Sequence, residues 1–420
     1  TETARSIADG SVSSEELVRD CMARIREREE TVGAWIHQDE DQVLEQACAC
    51  DAGPVQGPLH GIPVGIKDIL DTCDMPTAYG SPIYDGHRPA ADAACVALLK
   101  SAGAVILGKT VTTEFAWRKP GKTTNPHDPA YTPGGSSSGS AAAVADFMVP
   151  LAIGSQTGGS VIRPASFCGV VGFKPTYGLL STAGVKPLSH SLDTLGCFVR
   201  SARDLELFRN AIWDIPAHGS SPGNPPRISF CRTPDWKNAG PSTRKALETV
   251  KETWSRAGVK IKELELPGEF AALGEAHKAV MIYEARQNLQ HELREHEALL
   301  SDRLKAHFDP ENPFTYDQYR EALEKAEACR LTIREFFGKH DVLLAPSAPD
   351  EAPHGLDFTG DTVFNRIWTL LHLPTISIPA IIGPNGLPVG VQLIGAHGTD
   401  DTLIRHAVWL ESRLRENSSS

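Results

Sequence analysis

Nine short strand-like runs set the first limit on what this chain can become. They are PVGIKDIL (63–70), AVILGK (104–109), VPLAIG (149–154), GVVGFKP (169–175), RISFCR (227–232), VKIKELEL (259–266), DVLLAP (341–346), PTISIPA (374–380) and PVGVQLIG (388–395). Each has strand length and reads as a short strand, the first two as buried ones. Helical spacing fills much of the rest. SSEELVRDCMARIREREE (13–30) places serines ahead of two glutamates, then apolar residues at Leu17, Val18, Cys21, Met22 and Ile25, which predicts a capped amphipathic helix. ADAACVALLKSAGA predicts another helix just before the second strand, and much of 241–340 reads as long polar helices. Strands alternating with helices predict an α/β layered fold around a mixed, many-stranded sheet flanked by helices. DIPAHGSSPGNPP (214–226) is the linker candidate, but strands return after 341, so both halves are expected to share one sheet. The closing NSSS is expected to fray.

Charge and cysteine usage narrow the function classes. Lys and Arg number 41 against 53 Asp and Glu, a net charge of −12 with no basic run, which argues against a nucleic-acid or anionic-membrane partner. The nine cysteines are odd in number, repeat no spacing and form no CxxC pair, so neither a disulfide framework nor a metal site is expected. A reducing cytoplasm is the expected compartment. No apolar run approaches the roughly 18 residues of a membrane span, and the N-terminus is polar.

Two motifs invite other readings. GAVILGKT (103–110) satisfies the phosphate-loop pattern, but its four variable positions are themselves an apolar strand, whose amides a sheet ladder would occupy. GSSSG (135–139) satisfies the nucleophile-elbow pattern around Ser137, but three prolines in the ten residues before it rule out the central strand that an elbow needs. Neither motif is assigned a role.

Three other pieces carry chemistry together: Lys67 in GIPVGIKDIL, Ser136 in PGGSSSGSAAAVA and Ser160 in GSQTGGSVIRPASFCGVVGFKPTYG. A serine hydroxyl is a weak nucleophile without an adjacent base. No histidine stands beside Ser160 in sequence. Lys67 lies on an apolar strand, where desolvation favours the uncharged amine, and the neighbouring Asp68 points to the opposite face. Gly134, Gly135, Gly158 and Gly159 leave room for tight backbone, and the run Thr157, Gly158, Gly159, Ser160 can aim consecutive amides at a developing oxyanion.

This constellation resembles the amidase signature family, along nearly the whole chain and most specifically over 131–178. The resemblance implies a single amidase-signature domain over 1–420, with its catalytic Gly/Ser core at about 60–200, and a cis peptide at Ser136. It also implies a relay in which Lys67 takes a proton from Ser136 and Ser136 takes one from Ser160, which attacks the amide carbonyl. No cofactor or metal is expected, the partner is a small amide, and a homodimer is the expected assembly. The family's common pattern places arginine two residues after the nucleophile, whereas here Arg163 is the third. That spacing, GSSSGS and Gln156 make the chain most similar to the malonamidase branch. Arg163 then either holds a substrate carboxylate bidentately or pairs with a protein acid; Gln156, which removes a negative charge that many relatives carry beside it, Gly134 and Gly135 are the other substrate-binding candidates. Asn125, Pro126, His127, Ser189, Ser191 and Asp193 are candidates for shaping the pocket; Tyr79, Trp117 and Trp368 are candidates for lining it. The expected reaction is hydrolysis of a small linear amide, with or without a carboxylate. A carbamate or aryl-amide hydrolase, or an ammonia-supplying amidotransferase component, would use the same nucleophile. The amidotransferase component is placed lower because such chains have the common arginine spacing and are usually longer.

Overall fold

The computed structural model describes residues 1–213, 225–308 and 313–418. Eleven strands build it: β1 Trp35–His37, β2 Pro63–Lys67, β3 Val105–Thr110, β4 Leu151–Gln156, β5 Val171–Lys174, β6 Thr194–Val199, β7 Ile228–Arg232, β8 Ile261–Glu265, β9 Val342–Pro346, β10 Thr375–Ile382 and β11 Pro388–Ile394. They form one mixed sheet in the order β1-β3-β2-β4-β6-β5-β10-β11-β9-β7-β8. β3, β2 and β4 run parallel, as do β9, β7 and β8; antiparallel pairs join these two blocks through β6, β5, β10 and β11. Strands from both sides of the linker candidate therefore belong to one α/β domain. Of 214–226, residues 214–224 lie outside the described residues.

All nine expected strands are present; the edge strand β8 carries exposed Lys262, Glu263 and Glu265, and the reason for the apolarity of the interior strands is visible in the packing. Along β3, Val105 and Leu107 join one core cluster while Ile106 joins another; along β9, Val342 and Leu344 separate from Leu343 and Ala345 in the same way. A sheet covered on both faces needs apolar side chains at every position. Helices Ser14–Val32 and Ser138–Ala145 cover one face. Helices Ala94–Ser101, Pro241–Arg256 and Asp400–Ser418 cover the other, so the helix reaches Ser418 within the NSSS expected to fray. Helices Leu273–Asn288 and Tyr316–Phe337 add a further layer over β9. The predicted cap is present: Ser13 Oγ accepts from the Glu16 amide at 3.0 Å, and Glu16 Oε2 accepts from the Ser13 amide at 2.8 Å. No helix among the described residues is long and apolar enough to cross a membrane, and all nine cysteines are free.

Two strands escape the apolar-run criterion. β1 has only three residues, and TLGCFV of β6 carries a glycine in a polar neighbourhood that reads as loop. Both of the weighed motifs resolve into packing. Lys109 of GAVILGKT lies within β3 and faces Asp68 at 3.2 Å, and its Nζ donates to Leu70 O at 2.8 Å. Ser137 is buried at the start of helix Ser138–Ala145 and donates to Ser155 O at 3.2 Å, with no elbow strand before it.

Helix Ser138–Ala145 approaches the sheet unusually closely. A Cβ at Gly139 would come within 2.2 Å of Ala34 O and 2.4 Å of Val111 N, both backbone atoms that cannot rotate away. Gly139→Ala should therefore displace this helix from the sheet, with a loss of about 1–3 kcal/mol from overpacking. A thermal midpoint equal to that of the wild type would show that the contact is not tight.

Candidate active site

The site is assembled where the C-terminal ends of β2 and β4 meet the start of helix Ser138–Ala145. Val64 and Ile66 point into one core, so the strand's two-residue period turns Lys67 to the face that carries the helix. Lys67 has no exposed surface. Its Nζ lies 2.7 Å from Ser136 Oγ, 2.9 Å from Ser155 Oγ and 3.4 Å from Ser155 O. An uncharged amine has two hydrogens and one lone pair. With both hydrogens directed at Ser155, the lone pair is left facing the Ser136 hydroxyl.

Burial supplies the uncharged form. It pulls the Lys67 ammonium down to about 7, opposed only by the field of Asp193. Asp68 does not neutralise Lys67, because its carboxylate is spent on Lys109 across the sheet face. The Gly135–Ser136 peptide is cis, as the resemblance implied.

Ser160 follows directly on the end of β4, in a loop held from several directions. Gln156 Oε1 accepts from the amides of Val161 (2.9 Å) and Ile162 (3.1 Å), and its Nε2 donates to Thr369 Oγ1 (3.0 Å). Thr369 in turn donates to Gly158 O at 3.0 Å. Thr157 is gripped twice: its hydroxyl donates to Asp193 Oδ1 at 2.6 Å, and its carbonyl accepts from His277 Nε2 at 2.8 Å. Burial drives His277 down to about 4, so the ring stays neutral with its proton on Nε2. A Cβ on Gly159 would stand 2.5 Å from Asn365 Oδ1, which explains the glycine there. The amides of Gly158, Gly159 and Ser160 meet no acceptor among the described residues. They are thus available to an oxyanion.

A cavity of about 390 Å³ opens over this loop, lined by Thr157, Gly158, Gly159, Ser160, Arg163 and Trp117 among others. Several expectations need correction against it. Gln156 is buried beneath the loop and holds it, so it does not reach substrate. Arg163 neither pairs with an acid nor offers a fork to a carboxylate. Its Nη2 donates to Gly135 O (2.5 Å) and Thr359 Oγ1 (3.3 Å), and its Nη1 donates to Gly360 O (2.9 Å). Either bidentate face of a guanidinium needs an Nη2 hydrogen, and both are engaged. Gly134 and Gly135 also lie outside the cavity lining. Gly134, at φ +84°, packs against Pro164, where a Cβ would stand 2.8 Å from Pro164 Cα. Asn125 fastens Thr132 O and Phe167 O, and His127 bonds Cys168 O, both behind the site. Ser189 and Ser191 bind the buried Glu284. Tyr79 and Trp368 are core residues, leaving Trp117 as the one of the three aromatics that lines the cavity. Ser155, His277, Asn365 and Thr369 are residues of the candidate site that the sequence reading misses. Ser155 stands inside the Gly/Ser block, but the other three come from far along the chain and carry no local signal.

The comparisons agree with this geometry. The family model described as Amidase matches residues 16–404, and the chain belongs to that family. A solved structure titled "Crystal structure of amidase" superposes with a TM-score of 0.90 at 30% identity, over 98% of this chain and 99% of that one. Among curated proteins, the A component of the glutamyl-tRNA(Gln) amidotransferase of Thermus thermophilus is 34% identical over 98% of this chain and 96% of its own length. The component of the same name from Agathobacter rectalis is 32% identical, over 98% of this chain and 92% of its own. The chain is an amidase-family enzyme acting on C–N bonds. The alignments with those two proteins run to 466 and 460 positions against the 420 residues of this chain, in keeping with the expectation of longer chains.

Two outcomes test the electrostatics. Asp193 raises the Lys67 pKa, so Asp193→Asn should let the lysine lose its proton more readily. The acid limb of kcat/KM should then move to lower pH, with an overall loss from the loosened Thr157. An acid limb moved upward would contradict the assigned coupling. Because Arg163 binds only backbone carbonyls and a hydroxyl, Arg163→Ala should depress charged and neutral substrates alike and lower the thermal midpoint. A loss confined to carboxylate-bearing amides would reinstate it as a substrate ligand.

Proposed function

We propose that the protein hydrolyses the C–N bond of a small amide through an acyl-enzyme on Ser160. The observation that carries this reading is Lys67: a fully buried amine with no carboxylate paired to it among the described residues, 2.7 Å from Ser136 Oγ. In the forward step Lys67 takes the Ser136 proton, Ser136 takes that of Ser160, and Ser160 Oγ attacks the carbonyl carbon. The amides of the 158–160 loop stabilise the resulting oxyanion. Collapse breaks the C–N bond, and the relay run backwards delivers the proton to the leaving nitrogen. Water then enters by the same relay and releases the acid, regenerating Ser160.

Two fates are open to the ammonia. A free-standing hydrolase of malonamate-like amides releases it to solvent, whereas an amidotransferase component passes it to a partner chain. The relatives described above are named for the second use, so that reading stands ahead of the first. The malonamate-like reading also loses the support it drew from Arg163, whose forks are closed.

A fluorophosphonate probe should add to one serine, and digestion should place it on the peptide containing Ser160. Ser160→Ala should be inactive, and Lys67→Ala should lose about 10²–10⁴-fold, the usual scale of general-base catalysis. Wild-type activity should rise with pH through about 7, because the lysine must be unprotonated to act. Near-normal turnover by Lys67→Ala at neutral pH would sink the relay. Glutamine turned over in preference to malonamate would favour the amidotransferase reading, and the reverse the free-standing hydrolase.

A further inference from the structure

Each backbone amide that is free to meet an oxyanion belongs to a peptide unit whose other end is already held. In a trans peptide the C=O and N–H point in opposite directions, so fixing one residue's carbonyl fixes the N–H of the next. The peptide units of the 157–160 loop are trans. Thr157 O accepts from His277 Nε2 at 2.8 Å, Gly158 O from Thr369 Oγ1 at 3.0 Å, and Gly159 O from the Arg163 amide at 3.0 Å. The N–H groups of these same three units are those of Gly158, Gly159 and Ser160, which meet no acceptor among the described residues. The next two amides, of Val161 and Ile162, are taken by Gln156 Oε1. The loop's free donors and its pinned carbonyls thus coincide, unit for unit.

The three pins differ in origin. The bond from Arg163 closes the turn that leads into helix Ile162–Cys168, so it belongs to the local backbone. The other two are side chains brought from far along the chain: His277 from helix Leu273–Asn288 and Thr369 from helix Arg366–Leu370. Both are buried, and each has its hydrogen committed. Burial keeps the His277 ring neutral, and a bond to a carbonyl requires that its one hydrogen be on Nε2. Thr369 Oγ1 accepts from Gln156 Nε2 at 3.0 Å, which leaves its hydrogen for Gly158 O, with Asn365 O further off at 3.3 Å. Bonds linked in this way polarise one another, and a carbonyl that accepts makes the N–H of its own peptide unit a stronger donor.

We propose that His277 and Thr369 are positioning residues of the oxyanion hole, each aiming and polarising one backbone donor through the carbonyl of the same peptide unit. The inference rests on the acyl-enzyme reading above and adds two side chains from the C-terminal half to its machinery. They act through the amides of Gly158 and Gly159, not on the scissile bond itself. The call on those amides is greatest when charge develops on the carbonyl oxygen. Losing either pin should therefore slow the chemical step and leave binding of the uncharged ground state nearly intact.

The test follows labelling of Ser160 by a fluorophosphonate, whose phosphoryl oxygen stands in for the oxyanion, with the rate constant kinact and the binding constant KI measured separately. His277→Ala and Thr369→Val should each lower kinact by roughly ten- to a hundredfold, less than the loss of an oxyanion donor outright, and leave KI within about threefold of the wild type. Whichever of malonamate and glutamine the wild type hydrolyses faster should show the same division, with kcat falling and KM holding. His277→Gln and Thr369→Ser keep a donor for the carbonyl and should recover most of the loss, which general support of the fold would not require. Thr369→Val exchanges one hydroxyl for a methyl, so it reads the effect even if His277→Ala does not fold. Wild-type kinact in the deletion variants, a loss confined to KI and KM, or a loss that the Gln and Ser variants share in full would overturn the proposal. A wild-type Ser160 left unlabelled by the probe would instead refute the acyl-enzyme reading beneath it.

Discussion

The uncharged amine of Lys67, closed in between Ser136 and Ser155, is the constraint on which the rest of the site depends. An ammonium there would have no exposed surface and no carboxylate partner among the described residues, so losing the proton is the less costly outcome. The dryness comes from the sheet being covered on both faces, and the missing counter-charge comes from strand geometry. One residue further on, Asp68 turns away and lies 3.2 Å from Lys109, a lysine of similar burial whose pKa is also lowered by burial, with Asp68 opposing that shift. Burial thus lowers the pKa of two lysines on adjacent strands, and only Lys109 has a carboxylate within ion-pair distance among the described residues.

The loop that presents Ser160 illustrates a second constraint. Its glycines permit backbone that other residues would obstruct, but permission is not rigidity, and an oxyanion hole works only if its donors are held in place beforehand. Rigidity is supplied from outside the loop. Gln156 binds the amides of Val161 and Ile162, Asp193 and His277 hold Thr157 from two sides, and Thr369 holds Gly158. A residue that resembled a substrate contact, Gln156, is thereby a brace. Arg163 is another: it ties the carbonyl of Gly135, next to Ser136, to the 359–360 segment.

Much of this is legible in the sequence, and for a specific reason. Strands buried on both faces must be largely apolar, so eight of eleven announce themselves as apolar runs, while the exposed edge strand β8 is legible despite its lysines and glutamates. β1 is too short to register, and the glycine and cysteine of β6 break its pattern. Lys67, Ser136 and Ser160 are readable because an apolar strand bearing a lysine and two Gly/Ser blocks are local features. The layers of 241–340 are readable as helices, but not the fact that they supply His277 to the nucleophile loop.

By itself, then, the amino-acid order determined the layered α/β class, the three residues of the proposed relay, and the glycines of the Ser160 loop. These follow from hydrophobic period, side-chain chemistry and backbone freedom, all of which act within a few residues. Only the tertiary structure decided which polar groups are already spent. Arg163 has no fork left for a carboxylate because Gly135, Thr359 and Gly360 converge on it, and Arg118 and Arg366 share a cavity with Ser160 because distant segments of the chain meet there. Hydrogen-bond capacity is finite, and whether a donor remains for substrate depends on neighbours that sequence distance does not reveal.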